Sequence, residues 1–475
     1  TLRRKPRSAS QKLADERLRV SRHSISQLGN CFGQFIPNSE LSNKSKGKFS
    51  RRRLFSKENT FWAFFSQILD ADSGCREVIR KVQAYAALRS LKIPSSSTAA
   101  YCQARNKLDQ ESLENILSHT SNSLVSQGAN NLWKNRRVIV ADGTGVSMPD
   151  TMDNQSQWPQ SSNQKPGCGF PQARICACFC LHSGALLSYQ LGSTKNGELS
   201  LLRQQMDIFN PGDIFLGDKG FCSYYDVSMF QQRNVDSVIS LARRIPETDT
   251  TAIKVLGSGD LLIHWKKPKW VKQLSYDKET WEKLPEMLTL RQIKVTVNIP
   301  GFRVKSYYIV TTLTDPKQYP AEDIADLYRE RWDVELFFRD IKTTMGMDIL
   351  RCRTPKMIEK EIIMHFIVYN SIRMLMLKAA KKSPQPSRKI SFKASIQALR
   401  QWEPSFNQAG INDSEKKRLF AALISTIGNT RLYIRPERRE PRCLKRRPKP
   451  FGLLTAPRHS MVEIPHRGRY TARTS

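Results

Sequence analysis

Between Leu54 and about Ser126 apolar residues return every three or four positions. FSKENTFWAFFSQIL opens at Ser56, whose hydroxyl suits a helix N-cap, and SSSTAAYCQARNKLDQESLENILSHTSNSL keeps the same period. The pattern predicts an all-helical domain over 54–130, preceded by a basic, flexible arm over 1–53. The polar stretch SQGANNLWKNRR closes the helical region.

The period then shortens. Val138–Ala141 is a β-branched run that ends at Asp142-Gly143, which predicts a buried strand with a carboxylate at its carboxyl end. A polar loop over 152–169 precedes RICACFC and ALLSYQLG, which read as a hairpin turning at His182-Ser183-Gly184. A helix is expected over 198–209, a second short strand in DIFLGDKGF ending at Asp218, and a third over 235–243. The alternating segments of 245–318 predict a β-rich insertion, followed by helices over 321–343, 355–381, 391–402 and 414–427. Hairpin strands followed by strands alternating with helices predict an α/β core with a mixed sheet. The expected core spans 131–244 and 319–385, and 386–475 forms a helical and basic carboxyl-terminal region.

The helix over 321–343 contains YRERWDVELFFRDIK. At about 100° per residue, Tyr328, Arg331, Glu335 and Lys342 fall within about 60° of one another, so they project from one face. Leu327, Val334, Phe338 and Ile341 make an apolar stripe beside them. Such a polar row could equally be a solvated face laced with ion pairs. Asp142 and Asp218 change that picture, because active groups gather where the strands of an α/β sheet end. Cys176, Cys178 and Cys180 alternate along one strand without a paired CxxC or nearby His, so they read as core residues and not as metal ligands.

Charge narrows the partners. The 475 residues carry a formal +34, which calls for a polyanion. Residues 1–60 hold 15 Lys/Arg against 4 Asp/Glu, and 431–475 hold 13 against 3, so most of the excess lies in two terminal arms suited to phosphates. The apolar stretch 361–377 is broken by His365, Asn370 and Arg373 and reads as a buried helix, so no membrane span is expected. The amino end lacks the apolar segment of a secretory signal, and the cysteines show no small-domain disulfide spacing. A reducing cytoplasm is the expectation.

The spacing Y-(2)-R-(3)-E-(6)-K, present as Tyr328, Arg331, Glu335 and Lys342, resembles the signature of DDE transposases of the bacterial insertion-sequence family 4. ADGTG around Asp142 and GDKGF around Asp218 are similar to the family's two aspartate boxes. The inserted segment before Glu335 and the tail EPRCLKRRPKPFGLLTAPR also resemble it.

The resemblance implies an RNase H-like catalytic core in which Asp142, Asp218 and Glu335 bind two Mg²⁺ ions, with Mn²⁺ able to substitute. Two such ions can activate a water or 3′-hydroxyl and stabilise the leaving oxygen in phosphodiester cleavage. It further implies that Tyr328, Arg331 and Lys342 contact DNA phosphates, with Lys219 and the tail residues Arg446, Arg447 and Lys449 as further DNA contacts. By position Tyr308 matches an aromatic residue that holds a flipped base in relatives, although a sheet tyrosine explains it as well. The expected partners are double-stranded DNA, as terminal inverted repeats bound by the helical domain over 54–130 and as target, and a second copy of the chain in a homodimeric synapse, which implies a bacterial cytoplasmic, nucleoid-associated protein. The expected activity is cleavage at the element ends and joining of the 3′-hydroxyls to target DNA, with or without a hairpin intermediate. The alternatives are an inert transposase-derived DNA-binding protein and a metal-dependent nuclease without strand transfer.

Overall fold

The computed structural model describes residues 31–432, apart from 43–45, 52, 71–73, 89, 91, 129–131, 242, 272–275, 297–305, 384–386 and 407–411, together with 453–461. The helical amino-terminal pattern folds as α1 (Lys57–Leu69), α2 (Cys75–Leu88), α3 (Ala99–Lys107) and α4 (Gln110–Gln127). Ser56 caps α1 as its sequence predicts, its hydroxyl accepting from the Asn59 amide at 3.2 Å. Phe61, Trp62, Phe64 and Phe65 bury α1 almost all round, so this helix is core and not surface.

A nine-stranded mixed sheet forms the centre, in the order β3-β2-β1-β4-β5-β9-β8-β7-β6. β1 (Val138–Ser147), β2 (Gln172–Cys180) and β3 (Leu186–Ser193) form an antiparallel meander. β4 (Ile214–Gly217) and β5 (Asp236–Leu241) follow in parallel, reached through α6 (Glu198–Arg203) and α7 (Tyr224–Gln232); α5 (Met152–Gln157) lies in the loop before β2. β-branched and apolar residues fill both faces, as expected of strands covered on two sides. Val138, Val140, Ala177, Phe179 and Val238 face the large helical layer, while Ile139, Ala141, Cys176, Phe215 and Ile239 face α6 and α7. Cys176, Cys178 and Cys180 are buried free thiols within this core.

The segment expected as an insertion does not build a sheet of its own. β6 (Thr250–Gly257), β7 (Asp260–Lys266), α8 (Lys278–Glu282), β8 (Met287–Thr296) and β9 (Ser306–Thr311) follow one another, and β9 pairs antiparallel with β5, so all four strands extend the central sheet. The buried Arg291 guanidinium clamps this extension: it donates to Asp260 at 2.8 and 2.5 Å and to the Tyr319 carbonyl at 2.5 Å.

The helices α9 (Ala321–Glu330), α10 (Asp333–Arg339), α11 (Pro355–Ala380), α12 (Phe392–Phe406) and α13 (Asp413–Asn429) complete the fold. α11 is the helix whose composition would also suit a membrane, yet 94% of its most apolar window is enclosed by protein. Asn370, in its middle, accepts from the Leu186 amide at 2.9 Å and donates to the Leu186 carbonyl and Ser121 hydroxyl, tying α11 to β3 and α4. A buried amide fully satisfied in this way fixes the register of helix against sheet.

Candidate active site

β1 runs on to Ser147, so Asp142 stands in mid-strand and not at the strand end that its sequence predicts. The reason is unequal pairing on the two sides of β1. Its partner β2 continues opposite it, with Asp142 across from Ala177 and Ser147 across from Gln172. On the other side, pairing with β4 stops at Val140 opposite Leu216. Beyond that point β4 turns away and Asp218 caps the 3₁₀ turn Lys219–Phe221, its carboxylate accepting from the Gly220 amide at 2.7 Å. Asp142 therefore borders a crevice at the carboxyl end of the parallel pair, with Asp218 just past the end of the neighbouring strand.

The helix predicted over 321–343 is not regular. It tightens after α9, where Val334 and Glu335 donate to carbonyls three residues back, and widens into a π turn over Asp340–Thr344. The tight and wide turns offset one another, and π turns recur at functional sites. Tyr328, Arg331 and Lys342 still face the sheet. The Tyr328 hydroxyl reaches Ser240 Oγ on β5 at 2.5 Å, and Lys342 Nζ reaches Thr144 Oγ1 on β1 at 2.9 Å. Arg331 lies between them, 8% exposed, with its guanidinium 3.7 Å from Glu335. The Arg331 Nε has no hydrogen-bond partner among the described residues. Glu335 is half exposed, and Tyr328 is buried.

Burial pushes the Asp142 carboxyl up to about 6, and the nearby Glu198 and Asp218 carboxylates add to the effect. The Gly143 amide, which donates to Asp142 at 2.8 Å, and the Arg331 charge oppose it. Carboxylates gathered in a half-buried crevice, one of them driven toward protonation, are the donor chemistry that suits a hard divalent cation. The residues fit such an ion in kind, although among the described residues no three acidic, His or Cys side chains stand close enough to hold one as placed.

Of the remaining predicted contacts, Lys219 is exposed on the turn after Asp218. Tyr308 lies on β9 opposite Leu241 and Lys294, half-buried; its neighbour Tyr307 is the one whose ring meets Tyr328, at 5.5 Å. Arg446, Arg447 and Lys449 lie outside the described residues, as do 1–30 of the amino-terminal arm. Two residues at the site carry no mark in the sequence reading. Glu198, the first residue of α6, looks there like an ordinary acid in a first helical turn. Trp332, 54% exposed with the Arg331 guanidinium 5.0 Å from its ring, looks like part of a helix interior.

The family model described as "Transposase DDE domain" matches residues 133–371, a span that holds Asp142, Asp218, Glu335 and Lys342. The chain belongs to this family: it is a DDE transposase, an enzyme. Its relatives place it among the transposases of insertion-sequence family 4. It is similar to transposase InsG of insertion sequence element IS4 from Escherichia coli (strain K12), at 24% identity over 92% of this chain and 96% of that one. It is also similar to the transposase for insertion sequence element IS231F from Bacillus thuringiensis subsp. israelensis, at 21% identity over 46% of this chain and 52% of that one. Among solved structures, a piggyBac transposase synaptic complex with hairpin DNA aligns with 86% of this chain and 85% of its own, at 10% identity and a TM-score of 0.38.

Proposed function

We propose that this transposase binds the terminal inverted repeats of its own element, cleaves the DNA there, and joins the freed 3′-hydroxyls to target DNA. The observation that carries the reading is the crevice where β1 and β4 part, with Asp142 on β1, Asp218 just after β4 and the Arg331–Glu335 pair beside them. The strand order β3-β2-β1-β4-β5, antiparallel and then parallel, supports an RNase H-like core over 131–244 and 319–385 that is interrupted by the insertion.

Asp142, Asp218 and Glu335 would hold Mg²⁺, or Mn²⁺ in its place, and the bound ions would supply an activated water or 3′-hydroxyl and stabilise the leaving oxygen. The chain's own cations hold the DNA. Arg331, buried and rigid, presents its guanidinium to a phosphate beside the scissile bond, where a charge-assisted bond is strong. Lys342 does the same about three turns further on, and the Tyr328 ring lies under the Arg331 guanidinium. Glu335, which lies 3.7 Å from Arg331, would be among the residues that hold the cation, and Arg331 would then pair with a phosphate. Tyr308 and Lys219 flank the DNA path.

The amino-terminal helices supply a second seat for DNA. A cleft of about 1130 Å³ between the 47–55 segment and residues 92–107 is lined by Lys48, Arg51, Arg53, Lys92 and Lys107, with no carboxylate among its lining residues. Such a groove follows a phosphate backbone without reading bases. Arg446, Arg447 and Lys449 add to this grip, and two copies of the chain act together on two ends.

The test is incubation of the full chain and Mg²⁺ with the DNA that flanks its own gene, with the cut ends mapped. Cuts at the element boundaries followed by joined products support the reading. Scattered cuts without joining would assign a nuclease, and binding without cuts an inert DNA-binding protein.

A further inference from the structure

Glu198 opens α6, the six-residue helix that links β3 to β4. A glutamate in a first helical turn ordinarily faces solvent and offsets the helix dipole. Here it is directed inward. α6 packs on both β1 and the turn that follows β4, and the Glu198 carboxylate lies over Gly143: a Cβ at that position would stand 2.1 Å from Oε1. Glycine at 143 is what admits the carboxylate.

The placement is complementary to that of Glu335. Asp142 faces the helical layer that carries Arg331 and Glu335, whereas Glu198 comes from the α6 side, over the part of β1 that β4 no longer covers. Arg331 already occupies the first side and neutralises Glu335 there at 3.7 Å. On the α6 side the structure provides a carboxylate but no ion pair to Glu198 among the described residues.

We propose that Glu198 is a further acidic ligand of the divalent-cation site, reaching an ion shared with Asp142 and Asp218 from the face opposite Glu335. This rests on the reading of Asp142 and Asp218 as cation ligands. Two ions each need oxygen ligands, and three carboxylates between them leave most of each shell to water and phosphate. A fourth, on the other face of β1, gives the second ion a ligand of its own.

The test is titration of the full chain with Mn²⁺ alone, reading free Mn²⁺ by electron paramagnetic resonance, for wild type, Glu198→Gln and Asp142→Asn. Glu198→Gln is expected to weaken Mn²⁺ binding by about tenfold or more, while its melting temperature without metal stays the same or rises. A glutamate with only a structural role would lower the melting temperature and leave Mn²⁺ affinity alone. Glu198→Asp keeps the charge but withdraws the carboxylate by one methylene, so it is expected to bind with intermediate affinity; it serves as the test if the glutamine variant does not fold. Wild-type Mn²⁺ affinity in the Glu198 variants, with Asp142→Asn impaired, would overturn the role of Glu198 alone. Wild-type affinity in Asp142→Asn as well would overturn the cation site with it.

Discussion

Lys342 Nζ donates to Thr144 Oγ1 at 2.9 Å, joining the π turn after α10 to the strand that carries Asp142, two residues further along β1. The bond fixes where the polar row of the helix meets the sheet, and it separates two roles for Lys342. Thr144→Val removes the acceptor and is expected to cost about 1 kcal/mol of stability, with the salt dependence of DNA binding unchanged. Lys342→Met removes the same bond and the proposed phosphate contact, so it should also reduce the salt slope by about 1. Denaturant titration and binding at several salt concentrations measure both. Equal slopes for the two variants would confine Lys342 to a structural role.

Asp142 gives a pH dependence with a definite sign. Its carboxyl titrates near 6 in the fold against an ordinary 3.8, so the native state keeps a proton that the unfolded chain has lost. Stability of the metal-free protein therefore falls as pH rises from about 4 to about 6 and stays low above that. Asp142→Asn removes the penalty. Allowing for the carboxyl's partial contact with water, it should be more stable than wild type by about 1–2 kcal/mol at neutral pH, an advantage that vanishes near pH 4. Thermal melts across that range check the crossover, and a constant difference at all pH values would refute it.

Much of this was readable in the residues. Period and capping marked α1 to α4, and the strand-like runs before Asp142 and Asp218 located the two carboxylates and the hairpin between them. What the one-dimensional pattern missed depends on partners. β1 continues past Asp142 because β2 lies opposite it, and no local signal shows that. The insertion strands join the central sheet because β9 finds the free edge of β5, a pairing of residues some seventy apart. The helix of Tyr328 and Lys342 tightens and then widens, which a uniform 100° period averages away while keeping its polar row on one side. Glu198 was invisible for a different reason: its meaning comes from the absence of a side chain at Gly143.

The buried Arg291–Asp260 pair, with Arg291 only 1% exposed, is expected to be a structural weak point of the sheet extension. Arg291→Met strands the Asp260 charge and should destabilise the chain by about 3–5 kcal/mol, whereas Arg291→Met combined with Asp260→Leu should recover much of that loss. Chemical denaturation of the single and double variants tests the coupling. Additive losses would mean that the pair is not the clamp.

The terminal charge has its own signature. Residues 431–475 hold 13 Lys/Arg against 3 Asp/Glu, and their removal should flatten the salt dependence of binding to unrelated duplex DNA. An unchanged slope would mean that the tail does not touch phosphate. Substituting Arg51 and Lys92 in the amino-terminal cleft should weaken binding to all duplexes alike, because neither is placed as a reader of bases.

The proposed catalytic set joins the carboxylates at the parting of β1 and β4 with Glu335 in cutting DNA. Its most direct test compares wild type and Glu335→Gln on a duplex carrying one element end, measuring binding and Mg²⁺-dependent strand cleavage in the same samples. Equal binding and no cleavage by the variant are expected. Normal cleavage by Glu335→Gln would contradict it.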